Sequence, residues 1–197
     1  MKTNFVLAGV GGQGTILASD VVAQTGLQIG LDAKKSEVHG MAQRGGAVIS
    51  HVRWAEKVAS PLCEKGTADY LIAQEMLESV RWIDYLRPGA TVIINQQRIA
   101  PTTTVFGNAT YPSDNEIVAA FQKTAAKVLL VDAVGVAEEL NNLRVANSVL
   151  IGALSSVMEV STEDWLAVLT TRVPERHKEI NRQAFFAGRD GEWLVEN

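Results

Sequence analysis

The sequence predicts an α/β fold: a mainly parallel, Rossmann-like sheet with helices on both faces and a helical C-terminal extension. Three observations predict it. The stretch FVLAGVGGQG, residues 5–14, is an apolar run of strand length that breaks into glycines and passes into a helical repeat. Strand-like and helix-like segments then alternate through the first two-thirds of the chain, the pattern of consecutive β–α–β units. The chain has 197 residues, of which 47% are hydrophobic and 20% charged, enough to bury a core and ordinary for a globular protein.

Residues 5–8 read as a buried strand. TILASDVVAQTGLQIG places Ile16, Leu17, Val21, Val22 and Leu27 at helical spacing, with Gly26 and Gly30 marking the exit. LDAKKSEV, residues 31–38, is a second extended piece leading into HGMAQRGG. AVISHVRW alternates as a strand, with Val48, Ser50 and Val52 on one face and Ile49, His51 and Arg53 on the other. ADYLIAQE is a further apolar run, EMLESVRWIDYLRPG an amphipathic helix ending at Pro88-Gly89, and TVIIN the next strand. Residues 96–115 are polar and rich in Thr, Pro and Asn, a loop with a short strand around 103–106. Ser113 followed by Glu116 is a capping box for NEIVAAFQKTA. KVLLVDA is a buried strand, VGVAEELNN a short helix, and RVANSVLIGALSSVM a longer buried helix. Ser161 or Thr162 caps STEDWLAVLTTRV, and Pro174 opens a last helix with Ile180, Phe185 and Phe186 on one side. With no repeat and no low-complexity linker, residues 1–197 read as one domain, of which about 160–197 form the helical extension.

Composition excludes several classes. A formal charge of −4 leaves no basic stripe for nucleic acid. Cys63 is the one cysteine, so the chain can form no internal disulfide and cannot by itself supply the four thiolates of an iron–sulfur cluster. No apolar stretch reaches membrane-spanning length, and the N-terminal run is too brief for a signal peptide; the expected location is the cytoplasm, away from membranes.

Two constellations carry the chemistry. Gly9, Gly11, Gly12, Gln13 and Gly14, followed by Thr15, satisfy the G-x-G-x-x-G spacing between a strand and a helix. Glycines let the backbone approach a ligand, and the helix start offers free N–H groups and a positive dipole end to an anion. A dinucleotide site also asks for an acid closing the second strand. Asp32 opens that strand rather than closing it and Glu37 is set in a polar segment, so a phosphate ligand, NAD and a structural turn all stay open. The second constellation is Ser36, Glu37, His39, Gly40, Gln43, Arg44, Gly45 and Gly46, directly after a strand and at the sheet edge where ligands bind. No Ser or Cys partner for His39 is identifiable, so no catalytic residue is assigned, and no metal ligands are assigned.

GVGGQG, then SEVHGMAQRGG with VISHVR, then SPLCEKGTADYLIAQE, in that order, resemble the gamma domain of 2-oxoacid:ferredoxin oxidoreductases. Within that family the chain is most similar to the small (beta) subunits of the indolepyruvate branch, over nearly its whole length. The resemblance implies an enzyme subunit that helps convert a 2-oxoacid to an acyl-CoA with ferredoxin as electron acceptor. It implies thiamine diphosphate, Mg and iron–sulfur clusters held by a large (alpha) subunit, through which ferredoxin docks, and a chain inactive alone. On this reading the Gly9–Thr15 turn takes a coenzyme A phosphate, and the Ser36–Gly46 loop, with Arg44 as a charged contact, completes a composite site against the large subunit. A non-catalytic assembly subunit, docking through Trp165, Phe185, Phe186 and Trp193, and a free-standing NAD-linked reductase are the alternatives.

Overall fold

The computed structural model describes residues 2–39, 46–100 and 110–195. Seven strands form one sheet in the order β2-β3-β1-β4-β5-β6-β7. They are β1 (Thr3–Val10), β2 (Asp32–His39), β3 (Ala47–Ala55), β4 (Ala68–Ala73), β5 (Leu86–Asn95), β6 (Ala125–Val131) and β7 (Leu194–Val195). β1, β4, β5 and β6 are mutually parallel; β3 runs against both β1 and β2, and β7 runs against β6. Five of the seven strands therefore point the same way, as the sequence predicts.

The helices are α1 (Thr15–Gln28), α2 (Met76–Arg81), α3 (Asp114–Phe121), α4 (Ala133–Glu139), α5 (Ala146–Ser156), α6 (Thr162–Thr171) and α7 (Lys178–Asp190). Strand residues alternate between two apolar layers. Phe5, Leu7, Ile72, Ile93 and Leu129 face the layer that holds α1, α4, α5, α6 and α7. Val6, Ala8, Leu71, Val92 and Val128 face the layer that holds α2 and α3. Among the described residues no helix is long and apolar enough to cross a membrane.

The C-terminal helices are built into the main core. Trp165 is fully buried and stands 6.1 Å, centroid to centroid, from Trp54, which in turn packs 4.6 Å from Phe5 of β1. Phe185 is fully buried, and Phe186 and Trp193 pack against the same layer. Of the aromatic residues considered as docking anchors, Trp165 and Phe185 are therefore core residues, and Phe186 and Trp193 are half-buried against the core. α5 and α7 meet at backbone contact: a Cβ on Gly152 would lie 2.0 Å from the Phe185 carbonyl oxygen, and one on Gly188 1.9 Å from that of Val149. Polar bonds flank this seam. Ser148 donates to Asn181 Oδ1 at 2.6 Å, and Arg189 donates to the Ser155 carbonyl at 2.7 Å.

Local signals place most boundaries. Ser113 and Glu116 form the reciprocal capping box of α3, and Ser161 accepts from the Asp164 N–H at the start of α6. Three elements depart from expectation, the first being β7, a strand in the tail read as helical. α2 ends at Arg81; residues 83–85 form a 3-10 turn, and Pro88-Gly89 lie inside β5. The amphipathic pattern continues past Arg81, but parallel pairing of Leu86 with Ala68 captures the backbone as strand. Pro174 precedes a 3-10 turn, Glu175–His177, with α7 starting only at Lys178. The short strand expected around 103–106 lies outside the described residues.

Candidate functional site

The chain from β1 crosses by α1 toward β2, whereas the chain from β4 crosses by α2 toward β5. The sheet therefore reverses its winding between β1 and β4, and in such sheets the crevice beyond the carboxyl ends of those strands is where ligands bind. A cleft of about 700 Å³ opens there. Its lining includes Gly12, Gln13 and Gly14 of the glycine turn, Gln74, Asn95 and Gln97 from the ends of β4 and β5, and Glu138, Arg144 and Asn147.

The glycine turn is held at Gly11, Gln13 and Gly14, while Gly12 stands open. Gly12 and Gly14 have φ of 103° and 79°, backbone that L side chains rarely adopt. Gly14 also lies against α5, where a Cβ would meet Asn147 Nδ2 at 2.5 Å. That amide donates to the Gln13 carbonyl at 2.9 Å, so the first turn of α5 clamps the glycine turn. Gln13 faces inward. Its Oε1 accepts from the Val10 N–H at 2.6 Å, and its Nε2 donates to the Gln74 carbonyl at 3.0 Å and to Gln97 Oε1 at 2.8 Å. Gln74 Nε2 donates to Asn147 Oδ1, and Asn95 Nδ2 to the Gln74 carbonyl, so one amide network ties β1, β4, β5 and α5 together. α1 starts at Gly14 with no side-chain cap, which leaves its first N–H groups to solvent or a ligand.

The expected anion-binding residues thus divide. Gly12, Gln13 and Gly14 line the cleft, with Gln13 contributing as a staple. Gly9 lies within β1, against the Gln13, Gln74 and Thr15 side chains. Gly11 donates its N–H to the Gly46 carbonyl at 2.9 Å, joining the two glycine-rich segments. Thr15 is 3% exposed and its Oγ1, near Gly9, is buried without a partner among the described residues. Its hydroxyl is therefore a correction: it is sequestered in the core side of the turn, and only its backbone remains for an anion.

The second constellation begins in a strand. Ser36, Glu37 and His39 belong to β2, paired across to His51, Ser50 and Val48. Register places His39, Val48 and Gly9 in one row, so β2 ends at the same edge as β1, two strand spacings or about 10 Å away. Glu37 forms an ion pair with Lys35 at 2.7 Å, and Lys35 also reaches Asp20 of α1. Ser36, Glu37 and Gly46 do not line the cleft. Gly40, Gln43, Arg44 and Gly45 lie outside the described residues. Cys63 is 5% exposed, and burial pushes its thiol up to about 11, the environment of an inert thiol. Its backbone N–H donates to Nδ1 of His51, whose imidazole burial keeps below its ordinary value.

The sequence reading missed Gln74, Asn95, Gln97, Arg144 and Asn147. One signal was available: Gln74 and Asn95 are polar residues at the carboxyl ends of parallel apolar strands, where a buried position would otherwise be apolar.

A family model described as pyruvate ferredoxin/flavodoxin oxidoreductase matches residues 4–191. The chain belongs to this family. Indolepyruvate oxidoreductase subunit IorB of Thermococcus kodakarensis is 36% identical over 188 residues, covering 94% of this chain and 93% of that one. Two solved structures share the fold. The gamma subunit of a keto/oxoacid ferredoxin oxidoreductase from Geobacter sulfurreducens superposes with a TM-score of 0.70 at 24% identity, covering 95% of this chain and 96% of that one. A 2-oxoglutarate:ferredoxin oxidoreductase from Magnetococcus marinus, with 2-oxoglutarate, coenzyme A and succinyl-CoA bound, gives 0.73 at 20% identity, covering 96% of this chain and 30% of that one. The chain is thus a small, IorB-like subunit of the 2-oxoacid:ferredoxin oxidoreductase type.

Proposed function

We propose that this chain, acting as one gamma-type unit over residues 1–197, forms half of a composite acyl-CoA-producing site, with a large subunit supplying the other half. The observation that carries the reading is the cleft at the switch point: a glycine turn in left-handed conformation, a helix start without a side-chain cap and the exposed Arg144 lining the same cleft suit an anionic ligand. Family membership makes a coenzyme A phosphate the anion to test first, and the IorB likeness makes an indolepyruvate-type aryl 2-oxoacid the substrate. In this reading the chain's residues bind and orient; the Gly12–Gly14 backbone receives the phosphate, and the loop around Arg44 meets the partner. Thiamine diphosphate supplies the carbanion chemistry, and it, Mg and the iron–sulfur clusters reside in the large subunit, since Cys63 alone cannot ligate a cluster. The chain is accordingly inactive by itself, ferredoxin docks through the large subunit, and the complex works in the cytoplasm.

The test uses the co-purified complex. Both Gly12→Ala and Gly12→Asp strain a backbone at φ 103°, where a Cβ meets nothing within 4 Å, so their difference isolates the added charge. The aspartate variant is expected to raise the KM for coenzyme A about tenfold over the alanine variant, with assembly intact. Equal values for the two variants would remove coenzyme A from the turn. Submicromolar NADH binding by the isolated chain would instead support a free-standing reductase.

A further inference from the structure

The two edges of the sheet differ. β7, at one edge, has two residues, whereas β2, at the other, has eight, and among the described residues no strand but β3 pairs with it. Lysines commonly guard a long edge by reaching out across it. Here both lysines of β2 are engaged within the chain. Lys34 Nζ donates to the Val58 carbonyl, and Lys35 Nζ pairs with Asp20 of α1 and, at 2.7 Å, with Glu37 of its own strand. A long edge whose guards are tied down is a template for another strand.

The charges of β2 select the strand that fits. Two copies joined edge to edge by a two-fold axis normal to the sheet run antiparallel and keep their faces. Opposed residues therefore share a face, and the axis falls on one residue. Of the central positions, an axis on Lys34 or Lys35 opposes two lysines, and one on Glu37 opposes two glutamates. An axis on Ser36 instead sets Lys35 against Glu37 twice, on the face that carries α1, and covers the 49%-exposed Val38 with the stem of Lys34 on the other face. We infer that β2 pairs with β2 of a second copy of this chain, centred on Ser36, to make one continuous sheet. The two clefts then open at opposite edges of that sheet. The inference is independent of what the cleft binds.

Disulfide capture in the co-purified complex tests it. In this register the two Ser36 Cα atoms stand about 4.5–5.5 Å apart, within reach of a disulfide. Ser36→Cys, treated with oxidised glutathione, is expected to link most of the chain into small-subunit pairs on a non-reducing gel. Lys34→Cys, which faces Val38, should link about tenfold more slowly, and wild-type Cys63, 5% exposed, should link none. In the Ser36→Cys background, Glu37→Lys is expected to slow linking about tenfold, and Lys35→Glu combined with Glu37→Lys to restore it. A Ser36→Cys chain that stays unlinked, or links no faster than Lys34→Cys, overturns the pairing. A link from that cysteine to the large subunit gives the edge to a different partner and overturns it as well. An unchanged rate in Glu37→Lys overturns the register.

Discussion

Replacing Gly152 with alanine separates local propensity from tertiary packing. In an isolated helix the change favours the helical state by about 1 kcal/mol. In this protein the new methyl would sit 2.0 Å from the Phe185 carbonyl oxygen and 2.9 Å from the Arg189 amide nitrogen, both backbone atoms of α7. Neither can rotate away, so the two helices must part by about 1 Å. Overpacking of a filled core costs ~1–3 kcal/mol, and an obstacle made of backbone belongs at the upper end. The balance is a loss of about 2 kcal/mol, or ~4–8 °C in Tm for a chain of this size. Urea unfolding followed by far-UV circular dichroism reads it as a lower midpoint at constant m value. Gly188→Ala attacks the same seam from the other helix. Once the helices have parted, the second methyl finds room, so the double variant should cost less than the sum of the singles. A Gly152→Ala midpoint equal to or above that of the wild type would refute the reasoning, since propensity alone predicts that result.

Gln13→Ala removes acceptor or donor contacts to Val10, Gln74 and Gln97 at once, and the stranded groups make a loss of ~1–3 kcal/mol the expected outcome. Amide exchange should report it first as faster exchange of the Val10 N–H, and unchanged protection there would count against the staple. Ser161→Ala deletes the cap of α6 and should lower stability by about 1 kcal/mol in the same urea assay, whereas Ser156→Ala, which removes no cap, should cost less. Cys63, held as the neutral thiol up to about 11, should react with a disulfide reagent at pH 8 only as fast as the chain opens. Because only the unfolded chain releases that proton between the ordinary value of 9.0 and about 11, the thiol's contribution to stability is present below that window and declines through it as pH rises. A Cys63→Ala chain with the same slope across the window would disprove the assignment.

What the sequence made legible was what short segments decide. The strand, glycine turn and helix of residues 5–28 announce themselves through apolar spacing and left-handed backbone, and the Ser113 and Ser161 caps act over three residues. The end of α2 was not legible, because its pattern runs on while a pairing between Leu86 and Ala68 decides the outcome. β7 has two residues, and only their register against Val128 and Leu129 makes them a strand. The cleft lining was hidden for the same reason. Gln13 meets Gln97 across 84 positions and Asn147 across 134, and no local pattern marks residues that become neighbours only when the sheet closes.

The network beneath the cleft consists of the side chains of Gln13, Gln74, Gln97, Asn95 and Asn147, five amides with neither acid nor base among them. Amides keep their donors and acceptors across the whole working range of pH, so the seat beneath a ligand does not change shape or charge as protons come and go. The groups that would attract the proposed anion are the start of α1 and exposed Arg144, where dissolved ions reach them. With a screening length of about 8 Å at physiological ionic strength, salt rather than pH is then the variable to which binding of the proposed anion should respond.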